Sequence, residues 1–285
     1  MNYQEALTYI NDKGKYGSRL GLESIRRLLD LLGNPQNDLN YIHIAGTNGK
    51  GSTSAYLANC LYSAGYKVGL FTSPELERLN ERIQINGKDI PDDELARITD
   101  LVREKVSQMV AEGLEHPTIF EIVTAIGFVY YQEEKADYVV LEVGLGGRFD
   151  STNVINNSIA SVITTLDYDH TEILGNTLAK IAYEKAGIIK KNGIVVSYPQ
   201  EEEALEVLKE VSMKMNANLY LDPIENIVVK EKTEFGSTFD FSFNEEILKD
   251  VKISMLGGYQ VYNASLAITT LLILREKGLI NISNE

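Results

Sequence analysis

Residues 41–60 read YIHIAGTNGKGSTSAYLANC, and their order decides the fold. YIHIA (41–45) has the apolar character and length of a buried strand. It runs directly into the turn Gly46-Thr47-Asn48-Gly49-Lys50-Gly51-Ser52, after which a helix is expected over about 50–64. Strand, glycine-rich turn and helix in that order are the context of a phosphate-binding loop. Glycines let successive N–H groups converge, the helix N-terminus adds partial positive charge, and Lys50 adds a full one. The β- and γ-phosphates of ATP match such a cradle. The loop departs from the common GxxxxGK[ST] form, because two residues separate Gly46 and Gly49, and Gly51 directly follows the lysine. The hydroxyl that usually reaches magnesium is therefore displaced, and Ser52 or a residue elsewhere must serve.

Working outward, KVGLF (67–71), DYVVLEV (137–143), IASVITT (159–165) and GIVVS (193–197) repeat the short, continuous apolar run. Helices are expected between them: one ending at Leu32, then about 92–111, Thr118 to about Tyr131 behind a Thr118/Glu121 capping box, 177–186 and 201–215. Apolar strands alternating with helices predict an α/β fold, a mostly parallel sheet with helices on both faces. After residue 219 the texture changes. NIVVK (226–230), TFDFSF (238–243) and VKISML (251–256) alternate more, predicting a small antiparallel section within 219–256. A helix over about 259–277 follows, and the expectation is a single ATP-binding domain over 1–285.

Hydrophobic residues make up 44% and charged residues 24% of the 285, an ordinary globular composition. The net charge of −14, from 41 acidic and 27 basic side chains, argues against nucleic acid as a main partner. Local positive charge still suffices for small anions. The single cysteine, Cys60, reads as a small core residue in a reducing cytosol. No basic-then-apolar leader is read at the N-terminus, and no run is long enough to cross a membrane, so a cytoplasmic protein is expected.

A carboxylate at the carboxyl end of a neighbouring strand is the expected metal partner, and Glu142 fits. Burying it is costly unless a cation or donors meet it. Gly144-Leu-Gly-Gly-Arg148 follows it. Asp167-Tyr-Asp169-His170 follows another apolar strand, so its side chains should emerge at the same sheet edge, where ligands collect. His43 reads as core and His116 as a loop residue. The residues alone leave open whether His170 is a ligand or base, and whether Lys185 is functional or half of a charged pair on a helix surface.

HIAGTNGKGST (43–53), TSPELERLNERI (72–83), LEVGLGGRFDSTNV (141–154), DYDHTEILGNTLAKIAYEKAGIIK (167–190) and LGGYQVYNASLAI (256–268) together resemble the folylpolyglutamate synthase/dihydrofolate synthase family, relatives of the Mur ligases. The resemblance implies a P-loop NTPase-like, Mur central-domain-like fold. It also implies an ATP-dependent ligase joining L-glutamate to a folate or to dihydropteroate through an acyl phosphate. Thr47, Asn48, Gly49, Lys50, Gly51 and Ser52 would hold the phosphates, and Asn263 would approach adenine. Ser73 and Glu142 would hold a first Mg²⁺. Glu142, His170 and Lys185, the lysine as a carbamate, would hold a second. Lys50, Glu142, His170 and Lys185 would be catalytic, with Arg82 and Arg148 on the substrate side. Two residues depart from the pattern: Tyr259 and Glu75 stand where histidines are common. The family's C-terminal domain is expected to be absent, leaving a chain that binds ATP without ligating. A Mur-type ligase for another acid, or a nucleotide-binding module without ligase activity, is the rival expectation.

Overall fold

The computed structural model describes residues 1–12 and 21–284. Helices α1 (Tyr3–Asp12) and α2 (Glu23–Leu31) precede strand β1 (Tyr41–Ala45), which leads through the glycine-rich turn into α3 (Lys50–Ser63) and β2 (Val68–Phe71). Two short strands, β3 (Ile83–Ile85) and β4 (Lys88–Asp89), come before α4 (Asp92–Ala111) and α5 (Ile119–Glu133). Strands β5 (Tyr138–Glu142) and β6 (Ala160–Ile163) are followed by α6 (Thr171–Leu174), α7 (Leu178–Lys185), β7 (Ile194–Ser197), α8 (Glu202–Lys214) and β8 (Asn218–Leu221). Then come β9 (Val228–Thr233), β10 (Gly236–Phe243), β11 (Glu246–Ile253) and α9 (Gln260–Glu276).

Eight strands form one sheet in the order β4-β3-β2-β5-β1-β6-β7-β8. The central pairings, β1 with β5 and β6, are parallel, and Ile44 lies opposite Glu142 in register. Because side chains alternate along a strand, β1 feeds both faces. Tyr41 enters a core with residues of α1, α2, α4 and α5, whereas Ile42 and Ile44 enter one with Leu57 and Leu61 of α3 and Leu266 and Leu271 of α9. Each fully buried side chain of this kind is worth roughly 1.5–3 kcal/mol over leaving it in water. The Thr118 capping box forms as expected: Glu121 N–H donates to Thr118 Oγ1, and Thr118 N–H donates to the Glu121 carboxylate.

Three expectations need correction. The antiparallel section begins later than residue 219, since β8 runs parallel to β7 and closes the main sheet. The antiparallel three-stranded sheet is β11-β10-β9, and it packs Phe239 and Phe241 against Val261, Ala264 and Leu272 of α9. Its last strand ends at Ile253 rather than running to 256. The β3–β4 hairpin, whose β3 pairs antiparallel with β2, is not among the strands expected from sequence although Asn86-Gly87 is a hairpin-turn pair. Cys60 is exposed rather than buried, because it falls at the margin of the α3 stripe made by Ser54, Leu57, Ala58 and Leu61. No helix among the described residues is long and apolar enough to cross a membrane.

One buried contact sets the position of α9. Asp222, just beyond β8, accepts hydrogen bonds from Ser265 Oγ and Thr269 Oγ1, both at 2.6 Å. Burial pushes its carboxyl up to about 6. The residues two and five positions before Ser265, Asn263 and Gln260, are thereby brought over the phosphate loop.

Candidate active site at the carboxyl edge of the sheet

The loop between β1 and α3 is held from the β6 side. Thr47 N–H donates to the Thr165 carbonyl at 2.8 Å, and Asn48 N–H reaches the same oxygen at 3.4 Å. The Thr47 hydroxyl both donates to the Asp167 carbonyl and accepts from Asp167 N–H, each at 3.1 Å. Gly46 and Gly49 are required by space. A Cβ on Gly46 would lie 1.8 Å from Thr164 Oγ1; one on Gly49, where φ is +84°, would lie 2.4 Å from Asn263 Oδ1. Gly49 thus combines left-handed backbone with close approach.

Lys50 opens α3, and its ammonium donates to the Thr47 carbonyl at 3.2 Å. Glu142 closes β5 on the neighbouring strand and is 3% exposed. A Cβ on Gly51 would lie 3.6 Å from Glu142 Oε2, so the absent side chain leaves the carboxylate room beside the loop. Burial raises the Glu142 carboxyl to about 7, against the opposing pull of the Lys50 charge and of a hydrogen bond from Ser73 N–H. Ser73 is therefore at Glu142 through its backbone N–H.

Lys185 ends α7 and is 4% exposed. It donates to the Gly46 carbonyl at 2.7 Å, which excludes the reading of a charged pair on a helix surface. Burial and then Lys50 lower it to about 8, while Asp169 and Asp150 act in the other direction. His170 lies at the same edge in a left-handed conformation (φ 47°), exposed, with Nε2 3.6 Å from the Asp169 carboxylate. Among the described residues no three His, Cys, Asp or Glu side chains converge as a metal cluster. His43 is fully buried and bonds Thr152 through Nε2.

The remaining expected residues divide. Asn263 is at the loop, donating to Gln260 Oε1 at 3.1 Å, and Gln260 in turn donates to Ser52 Oγ at 3.1 Å. Arg82 is ion-paired with Glu75, so the departure from histidine at position 75 is matched by a cation seven residues on. Arg148 turns away from the loop: its guanidinium stacks 3.9 Å from the Tyr183 ring centroid and donates to the Tyr183 carbonyl.

Two residues at the site were not singled out from sequence. Gln260 was detectable, since it lies one turn before Asn263 on the same helical face. Asp150, buried within the quoted GRFDSTN segment, accepts from Leu145 N–H and from Thr152 N–H and Oγ1. Its charge acts on both Glu142 and Lys185. Nothing in its immediate spacing marked it.

The donor set suits a hard cation. Burial holds the Glu142 carboxyl well above the usual carboxylate range even with Lys50 nearby, so its anion lacks a full counter-charge, and oxygen ligands beside a phosphate cradle are what Mg²⁺ takes.

Residues 44–271 match the Mur ligase middle domain. The dihydrofolate synthase/folylpolyglutamate synthase of Bacillus subtilis (strain 168) is 39% identical over 290 residues, covering 99% of this chain and 66% of that protein. The solved FPGS–AMPPCP complex matches with a TM-score of 0.93 at 33% identity, covering 100% of this chain and 69% of that one. The FPGS–AMPPCP–folate complex matches with a TM-score of 0.92 at 33% identity, covering 100% and 70%. The chain spans about two thirds of the length of these relatives.

Proposed function

Since the chain belongs to the folylpolyglutamate synthase/dihydrofolate synthase family of Mur-type ligases, we propose that it supplies the ATP site of an enzyme that joins L-glutamate to a folate or dihydropteroate. The observation that carries this reading is the approach of Glu142 to Gly51, which sets a buried carboxylate beside a phosphate cradle and its lysine. That a relative was solved with both AMPPCP and folate supports the same pair of ligands here.

In this reading the amides from Thr47 to Ser52 and the Lys50 ammonium hold the β- and γ-phosphates. Gln260 and Asn263 brace the loop and face the nucleotide. An acceptor carboxylate attacks the γ-phosphorus, giving an acyl phosphate and ADP. The neutral amine of glutamate then attacks the acyl carbon, phosphate leaves, and the nitrogen loses a proton to yield the amide. Fixed donors aimed at the transferring oxygens lower the barrier because they need no reorganisation during the step.

Glu142 and Ser73 would hold Mg²⁺, which when bound neutralises charge on the phosphate oxygens. A second ion would be held by Glu142, His170 and a carbamylated Lys185. Carbamylation needs a free amine, and a lysine lowered to about 8 presents one in useful amount near neutral pH. An unmodified ammonium would repel the ion instead. Asp150 ties the 144–153 turn together through Leu145 and Thr152, and its charge acts on Lys185.

ATP-dependent incorporation of labelled glutamate by the protein carrying this chain should proceed with dihydropteroate or a reduced folate and not with unrelated carboxylic acids. Equal incorporation into acids without a pteroyl group would favour a Mur-type ligase of other specificity. Nucleotide binding without incorporation into any acid would leave a nucleotide-binding module.

A further inference from the structure

Between β7 and α8 the chain runs Ser197-Tyr198-Pro199-Gln200, and the Gln200 side chain turns back onto the end of β6. The ladder between β6 and β7 runs out at this point. Its last register pair is Ile163 with Ser197, and Tyr198 N–H donates to the Ile163 carbonyl at 2.9 Å. The chain then leaves for α8, and the Gln200 amide continues the pairing in the strand's place. Its Nε2 donates to the Thr164 carbonyl at 2.9 Å, and its Oε1 accepts from Leu166 N–H at 2.9 Å. Nε2 also donates to Ser197 Oγ at 3.2 Å. A side-chain amide offers two N–H donors and one carbonyl, and all three groups here have partners.

The residue enclosed by this clasp is Thr165, from which the phosphate loop hangs. The Thr165 carbonyl accepts Thr47 N–H at 2.8 Å and Asn48 N–H at 3.4 Å, and Asn48 and Thr165 form an isolated antiparallel bridge. One residue further, Asp167 exchanges two hydrogen bonds with the Thr47 hydroxyl. Gln200 therefore grips residues 164 and 166, and the loop is tied to 165 and 167.

The same clasp reaches the support of α9. The carbonyl of Ser197 accepts Asp222 N–H at 2.9 Å, and the Asp222 carboxylate holds Ser265 and Thr269 of that helix. Gln200 sits where the two supports of the site meet, one beneath the loop and one beneath Gln260 and Asn263.

We propose that Gln200 is a positioning residue for the phosphate loop: by clasping Thr164 and Leu166 it fixes the Thr165 carbonyl, and with it the direction in which the later amides of the loop face the β- and γ-phosphates. The proposal rests on the reading of that loop as the ATP site. Donors aimed in advance at phosphate oxygens lose their advantage when their anchor shifts, even by a fraction of an ångström.

Gln200→Met keeps the length of the side chain and removes all three hydrogen bonds. Calorimetry with AMPPCP and Mg²⁺, on parent and variant, is paired with amide hydrogen exchange of the nucleotide-free chains. The variant should bind AMPPCP about tenfold more weakly. Exchange should accelerate at Thr47 and Asn48, while the amides of β1 and β5 exchange as in the parent. Gln200→Glu at pH 8 still accepts from Leu166 N–H but sets a carboxylate against the Thr164 carbonyl, and it should weaken binding at least as much. Parent-like AMPPCP affinity in either variant overturns the proposal alone. So does exchange accelerated as much in β1 and β5 as at the loop, which would mark a general loss of stability. A parent chain that does not bind AMPPCP overturns the ATP-site reading and the proposal with it.

Discussion

Lys50→Ala is expected to weaken MgATP binding by about 10- to 100-fold while leaving the melting temperature nearly unchanged. A hydrogen bond from a charged donor is worth about 1.5–3 kcal/mol, and the lysine supplies the only full positive charge that the loop itself carries. The ammonium's hydrogen bond is to the Thr47 carbonyl, at 3.2 Å, so its removal breaks little. A cation in the first turn of α3 also opposes the helix dipole, and alanine there relieves that term. Calorimetry with AMPPCP, paired with thermal melts, separates the two effects. Equal affinity in parent and variant would remove Lys50 from the phosphate site.

Glu142→Gln is expected to raise the stability of the metal-free chain above neutral pH and to abolish the magnesium dependence of nucleotide binding. The Glu142 carboxyl is raised from its ordinary 4.5 to about 7. Between those values the unfolded chain has lost the proton while the folded chain keeps it. Stability therefore falls as pH rises through that window and levels off above about 7. The ceiling on this contribution is about 3 kcal/mol. Asp222 and Asp150, both raised by burial, slope in the same direction. Glutamine carries no charge to bury and can still accept from Ser73 N–H, so urea titrations at pH 5 and pH 8 should differ less in the variant than in the parent. An unchanged pH slope would mean that Glu142 is solvated in solution.

Residues 41–52 carried most of the fold because each local rule agreed: a short apolar run, glycines where backbone must turn tightly, and a lysine at a helix start. The parallel strands followed from the same run length repeated. What sequence could not supply was partnership across the chain. The four-residue strand Asn218–Leu221 has a half-exposed pattern that fits an edge strand of either sheet, and only its pairing with β7 decides. The resemblance implies Arg148 on the substrate side, but its side chain stacks on Tyr183, a contact that the glycine run does not reveal. Glu75 stands where a histidine is common, and its partner Arg82, seven residues on, is set by the fold of the 72–83 turn rather than by any spacing rule. Lys185 was ambiguous by spacing, and its burial against the Gly46 carbonyl is a tertiary fact. His170 is at the expected edge; its exposed ring and its Asp169 neighbour could not be read from DYDH alone.

The central claim is that terminal phosphates rest on the Gly46–Ser52 amides and Lys50 while a divalent ion binds the Glu142 carboxylate. A crystal structure of the chain with AMPPCP and Mn²⁺ in place of Mg²⁺, with anomalous data, tests it most directly. The account predicts an anomalous peak about 2.1 Å from a Glu142 oxygen, bridging to the nucleotide phosphates on the loop. A peak away from Glu142, or a nucleotide bound at another edge of the sheet, would contradict it.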